Sequence, residues 1–393
     1  MIKLKNKQML SRNIKLRGFQ KNKYKKNLKG FFQDLIGKSY KKNSLINSFS
    51  KSYKYSFNKN LIKKYKKFQF YHIYGMGGSS LGSKAIYDFI GSKNKKKFIF
   101  FNNIDTKNKL IKTPKKTLNI IISKSGNTLE TIVNENIFSG KDKLFITENS
   151  NNYLKKLALK LKSEIIDHKN YIGGRYSILS EVGMLPAELM GLNSNKFKRF
   201  DKLILNKNFV NNLLSNVNTL YDLIKRKKTN SIILNYDESS YNIFKWYQQL
   251  VAESLGKSSK GVLPIISDMP KDNHSLMQLY LDGNKNCFFT FFDVIDANSP
   301  KIKNKILDNF KYLKGHSLQS IKLAQKQATQ IVFKAKKIPF RSFEILKRNE
   351  ETLGELFTFF MLETILLGKM MQINPFDQPA VELIKKETKK ILL

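Results

Sequence analysis

A single cysteine, Cys287, stands in a chain of 393 residues. One thiol excludes a disulfide framework and a cysteine-based metal cluster, and it suits a reducing compartment such as the cytoplasm. Histidine is almost as scarce. His72, His168, His274 and His316 are scattered without HxH or HxxxH spacing, so no metal site is expected. Long apolar runs are absent, and nothing approaches the roughly 18 uninterrupted apolar residues of a membrane span, so no membrane partner is expected. The opening Met1–Lys5 is not followed by the apolar core of a secretory signal. Acids are few: 30 Asp plus Glu face 72 Lys plus Arg, a formal charge of +42. Residues 1–67 hold 21 of the bases and one acid, Asp34. Such an excess suggests nucleic acid binding through counterion release, yet no finger, helix-turn-helix or RNP-type aromatic motif goes with it. Asn, Ile, Phe and Tyr are abundant beside Lys, the mixture that an AT-rich genome imposes. The charge therefore reads as compositional drift on solvated surfaces, with no specific nucleic acid partner. A positive field draws in small anions in either case.

What is present is a chain of 41% hydrophobic residues, long enough for two cores. Residues 1–65 read as short basic helices packed on the domain that follows. Compact β-prone runs then alternate with amphipathic stretches. Phe68–Tyr74, Lys97–Phe101, Leu118–Ile122 and Asp142–Thr147 are expected strands, with helices from Ser83 and from Leu129. The pattern restarts after about residue 205. Strands are expected at Ser231–Asn235, Val262–Ile266 and Cys287–Phe292, and helices at Tyr241–Ser254, Glu350–Met371 and Gln378–Ile391. Alternation at this spacing predicts parallel sheets covered on both faces. The architecture expected is two α/β/α units, residues 66–205 and 206–393, with added N-terminal and C-terminal helices.

Two strand–loop–helix junctions carry chemistry. Gly75-Met76-Gly77-Gly78-Ser79 follows the first strand and lets backbone crowd a ligand, with Ser79 to donate. Ser123-Lys124-Ser125-Gly126-Asn127-Thr128 follows the third strand and offers three hydroxyls and the first amides of a helix. At the carboxyl ends of parallel strands such loops form a cup for a phosphate monoester. One loop alone reads equally well as an ordinary tight turn; two on neighbouring strands do not. Dinucleotide binding would need G-x-G-x-x-G, and Ser80 occupies the third glycine position. No Walker lysine is present.

These segments resemble the signatures of the glucose-6-phosphate isomerase family, a two-domain SIS (sugar isomerase) fold, in its short bacterial form. Gly77-Gly78-Ser79 with Leu81-Gly82 is similar to the first signature, and Ser123–Thr131 to the phosphate loop. Gly173-Gly174-Arg175-Tyr176-Ser177 resembles the arginine motif, and Glu253-Ser254-Leu255-Gly256-Lys257 the E-S-x-G-K element. His274-Ser275-Leu276-Met277-Gln278 resembles the histidine segment. Asn374–Leu383 with Lys385 resembles the closing signature. Six matches in family order span residues 75–385.

The resemblance implies a cofactor-free and metal-free isomerase. It would interconvert glucose 6-phosphate and fructose 6-phosphate by ring opening and proton transfer through a cis-enediol. Glu253 would be the base, Arg175 the fixed cation beside the enediolate, and His274 and Lys385 the ring-opening pair. Gly78, Ser79, Ser123, Lys124, Ser125 and Thr128 would hold the phosphate, and Gln249 and Gln378 the sugar hydroxyls. A homodimer is implied, with His274 reaching the partner's site. Taken singly, Glu253 reads as a surface acid, Arg175 as a loop ion-pair residue, His274 as structural and Lys385 as solvated. Ile384 stands where the family usually has glycine, and residues 300–350 show little of its pattern. Alternatives are an isomerase that also takes mannose 6-phosphate, another SIS-type sugar-phosphate isomerase, or a sugar-phosphate sensor.

Overall fold

The computed structural model describes residues 8–19, 25–91, 95–106, 114, 116–303 and 307–393. Residues 1–7 and 20–24 of the basic front segment thus lie outside the described residues. Strands β1 (Gln8–Met9) and β2 (Ile14–Arg17) form a hairpin, followed by α1 (Lys26–Ser39). The first α/β unit contains β3 (Phe70–Tyr74), α2 (Leu81–Ile90), β4 (Lys97–Phe101), β5 (Thr117–Ile122), α3 (Leu129–Phe138), β6 (Lys143–Thr147), α4 (Tyr153–Lys160) and β7 (Glu164–Asp167). After α5 (Lys207–Lys225), the second contains β8 (Asn230–Asn235), α6 (Tyr241–Leu255), β9 (Leu263–Asp268), β10 (Cys287–Val294), α7 (Leu318–Ala335), β11 (Phe340–Ile345) and α8 (Glu350–Met370). The helix α9 (Val381–Leu392) ends the chain.

The two sheets repeat one plan. The first has strand order β4-β3-β5-β6-β7, with neighbours parallel throughout. The second runs β9-β8-β10-β11 in parallel, the same order of crossing, and then adds β2 and β1 antiparallel at its far edge. Strands buried on both faces need near-continuous apolar runs, and Leu118-Asn119-Ile120-Ile121-Ile122 and Phe288–Phe292 supply them. Helices α2 and α6 pack against each other where the units meet, and the Asn242 amide donates to Asp88 across that seam. Helix α8, apolar nearly all round, is buried against α5, α6 and α1.

The front segment departs from the sequence reading. Residues 8–17, expected as helix on the first unit, form a hairpin on the second, with Leu16 opposite Phe343 and Ile14 opposite Ile345. The reason is a period of two: Ile14 and Leu16 are buried on one face, while Lys15 and Arg17 are half-buried on the other. Residues 46–57 then lie against the first unit. Tyr53 and the Ser56 amide hold Glu181, Ser50 and the Lys51 amide hold Asp201, and the buried Lys198 ammonium donates to the carbonyls of Ser48 and Leu179.

Candidate functional site

Strand β3 ends in Gly75, and the chain turns so tightly that only hydrogen fits at two of the next glycines. Gly77 sits at φ +50° against Gln249, where a Cβ would come within 2.7 Å of the side-chain nitrogen. At Gly78 a Cβ would fall 2.2 Å from the Gly174 carbonyl. The Gly77–Ser79 turn therefore rests directly on the Gly173–Arg175 segment and on α6.

Arg175 organises what lies beside that turn. Its side chain is 1% exposed, and each of the five donors of a guanidinium has an acceptor. Nε donates to Ser254 Oγ at 2.9 Å. Nη1 donates to Glu253 Oε2 at 3.1 Å and to Gln378 Oε1 at 2.6 Å. Nη2 donates to the carbonyls of Pro375 at 2.8 Å and Asp377 at 3.0 Å. The backbone carbonyl of Arg175 accepts from Trp246 Nε1 at 3.1 Å. The cation is thus fixed by backbone and side chains from α6 and the 374–378 loop.

Glu253 lies one helical turn after Gln249 on α6, and Gln249 Nε2 donates to Glu253 Oε1 at 2.9 Å. Both carboxylate oxygens are therefore oriented, one by an amide and one by a guanidinium. The side chain remains 30% exposed, so a ligand can reach it. Gln249 Oε1 is buried with no partner among the described residues, an acceptor left available beside Gly77. Lys257, the last residue of the E-S-x-G-K element, reaches the Asn374 carbonyl and Asp377 Oδ1. That contact holds the Asp377 carboxyl below its ordinary range and pins the loop that carries Gln378.

The second junction lies alongside, because β3 and β5 are neighbours, with Tyr74 opposite Ile121. Ser123 and Thr128 hydroxyls are 2.7 Å apart, and Ser123 Oγ accepts the Gly126 amide at 3.1 Å. Ser125 Oγ accepts the Asn127 amide at 3.3 Å. Lys124 turns out of this loop: its ammonium donates to the Asn170 carbonyl at 2.7 Å and pairs with Glu148 at 3.4 Å.

Of the residues singled out by sequence, the structure gathers Gly78, Ser79, Arg175, Gln249, Glu253 and Gln378, with Ser123, Ser125 and Thr128 on the adjoining strand end. It does not bring His274 or Lys385 to them within one chain. His274 is exposed after a short 3-10 turn (Lys271–Asn273) beyond edge strand β9. Lys385 is 64% exposed on α9 and pairs only with Glu382, at 2.7 Å, among the described residues. Residues without an assigned role also matter here. Ser254 bridges Arg175 and the Tyr176 hydroxyl, and its place in the E-S-x-G-K element was the available signal. The carbonyls of Pro375 and Asp377 carry no side-chain signal at all. Among the described residues no His, Cys, Asp and Glu group is arranged to hold a metal ion, and no helix is long and apolar enough to cross a membrane.

The chain is similar to known proteins over most of its length. A family model described as phosphoglucose isomerase matches residues 63–393. The glucose-6-phosphate isomerase of Methanocaldococcus jannaschii is 34% identical over 358 residues, covering 83% of this chain and 85% of that protein. Among solved structures, a hypothetical protein from Thermus thermophilus superposes with a TM-score of 0.81 at 22% identity, covering 93% of this chain and 94% of its own. A glucose-6-phosphate isomerase from Chlamydia trachomatis gives 0.67 at 20% identity, covering 85% and 71%.

Proposed function

We propose a mechanism from the premise that this chain belongs to the phosphoglucose isomerase family: it interconverts glucose 6-phosphate and fructose 6-phosphate by proton transfer on its own side chains. The observation that carries the reading is the Arg175–Glu253–Gln249–Gln378 cluster beside the Gly77–Gly78 turn.

The phosphate sits in the cup formed by Ser79, Ser123, Ser125 and Thr128, with backbone close at Gly78; Lys124, engaged with Asn170 and Glu148, acts from behind the loop. The sugar then extends over α6. The Glu253 carboxylate removes the proton from C2 of the open-chain aldose, and the electron pair moves through C1 to its carbonyl oxygen. The resulting cis-enediolate carries negative charge next to Arg175 Nη1. A cation already fixed by its other bonds stabilises this charge without reorganising. The proton on O2 passes to O1 and Glu253 delivers a proton to C1, which gives the ketose, so atoms and electrons balance with no redox step. Gln249 and Gln378 take sugar hydroxyls, and the unpartnered Gln249 Oε1 is suited to one of them. Opening of the cyclic substrate moves a proton from O1 to O5, the task given to His274 and Lys385. Both lie outside the cluster of their own chain. A homodimer in which His274 enters the partner's site is therefore part of the proposal, as is a reducing, cytoplasmic setting for the single thiol. The division into units 66–205 and 206–393 is retained, each presenting the ends of its strands.

The test is turnover of fructose 6-phosphate, coupled to a glucose 6-phosphate readout, for wild type and Glu253→Gln. Loss of a positioned general base costs about 100- to 10,000-fold, so kcat should fall by that range while KM changes little. Wild type without turnover, or a variant with undiminished turnover, would refute the mechanism.

A further inference from the structure

The phosphate loop is braced from behind by the segment leading from β6 into α4. The Glu148 amide donates to the Lys124 carbonyl at 3.1 Å, and the Leu154 amide to the Gly126 carbonyl at 3.1 Å. The Tyr153 amide donates to the Asn127 side-chain oxygen at 3.0 Å. A trans peptide points its C=O and N–H in opposite directions. With the carbonyls of Lys124 and Gly126 held on the bracing side, the amides of Ser125 and Asn127 are turned to the other side, that of the cup. The Asn127 amide already lies 3.3 Å from the Ser125 hydroxyl there.

One side chain sets the brace. Asn152 is buried at the N-cap of α4, and its Oδ1 accepts the Lys155 amide at 2.9 Å. Its Nδ2 lies within 3.2–3.3 Å of Glu148 O, Ser150 O and Ser150 Oγ. It also fills the space that a side chain at Gly126 would need: at φ +65° a Cβ would fall 1.9 Å from Asn152 Oδ1. The same residue therefore fixes the Glu148 turn, the first amides of α4 and the seat of Gly126. Neither nitrogen nor oxygen of Asn152 is bonded to a hydroxyl of the cup.

We propose that Asn152 is a positioning residue for phosphate recognition, holding the β6–α4 turn against Gly126 so that the Ser125 and Asn127 amides face the anion. The inference rests on the reading that loop 123–128 binds the phosphate. Helix α4 adds to it, since its positive end lies against the peptide units that carry those amides.

The probes are inorganic phosphate, titrated by calorimetry, and fructose 6-phosphate kinetics, with thermal unfolding alongside. Asn152→Ala should weaken phosphate binding and raise KM about tenfold together, the loss of one charge-assisted hydrogen bond, with kcat within about threefold. Asn152→Asp keeps an N-cap acceptor and should restore the melting temperature. Phosphate binding should stay weak in that variant, because a carboxylate now faces the anion's loop. Asn127→Ala, at an exposed position, should weaken binding in the same sense. A merely structural role predicts a lowered melting temperature with phosphate binding and KM unchanged, and that result would overturn the inference. If Asn152→Ala does not fold, unchanged phosphate binding in Asn127→Ala does so alone. Wild type that bound no phosphate would overturn the cup and this inference together, whereas wild-type binding with unaltered variants overturns this inference only.

Discussion

Two buried histidines, His72 in β3 and His168 just after β7, show how single residues tie this fold to pH. Burial pushes the imidazoles of both down to about 4 from an ordinary value near 6.5. A depressed pKa means that the folded state keeps the neutral ring while the unfolded chain takes up a proton. Their contribution is complete above about pH 6.5 and is lost as the pH falls towards 4. The slope is at most about 1.4 kcal/mol per pH unit for each histidine. Urea midpoints taken between pH 7.5 and 5 should decline for wild type and flatten in His72→Gln and His168→Gln. A wild-type midpoint that did not move over that range would contradict the burial argument. Arg175 makes a different point at this scale. Its identity was readable from the Gly173-Gly174-Arg175 motif, but the saturation of its guanidinium was not, because two of the five acceptors are backbone carbonyls 200 residues away. Backbone acceptors leave no mark on a sequence.

At the scale of elements, helix α9 stands apart. None of its residues is buried, and Val381, Ile384 and Ile391 lie exposed. Three- and four-residue spacing puts Val381, Ile384 and Ile391 on one side of the helix. A helix with no packed face contributes little stability, so deleting residues 381–393 should shift the melting temperature by no more than about 2 °C. Activity should fall at least about 100-fold, since Lys385 goes with it while Gln378 stays. Full activity in the truncated protein would remove Lys385 from the mechanism. The elements that were legible share a physical cause. Strands β3, β5, β8 and β10 are buried on both faces and write continuous apolar runs, so their positions agree with expectation to within two residues at each end. Strand β11 was not legible. It carries Arg341 inside the core, paired with Glu363 of α8 at 3.0 Å for one of two contacts, and with Thr290 Oγ1 at 3.0 Å. A charge satisfied only by tertiary contacts looks like surface in a sequence. Strands β2 and β7 were hidden for a simpler reason, being four residues long with charged residues among their members.

For the whole molecule, the repeated strand order of the two sheets sets the division of labour. The first unit carries the loops proposed to hold the phosphate, and the seam between units carries Arg175 and the α6 side chains, while His274 lies exposed beyond β9 at the edge of the second sheet. The proposed homodimer, in which His274 serves the partner's site, makes a quantitative prediction. Glu253→Gln and His274→Ala are each impaired alone, but a hybrid dimer regenerates one intact site out of two. With random pairing, half of the dimers are hybrids, and co-refolded protein should recover about a quarter of wild-type activity. Recovery no greater than the average of the two variants would show that His274 serves its own chain or none. The central claim is that Glu253 moves a proton between carbons, and the isomerase reaction run in D2O tests it most directly. Wild type acting on fructose 6-phosphate should give glucose 6-phosphate carrying deuterium at C2 to the extent that the proton on Glu253 exchanges with solvent, and Glu253→Gln should form neither product nor label at a comparable rate. Product formed at the wild-type rate by Glu253→Gln, or deuterium entering C2 as fast in that variant as in wild type, would contradict it.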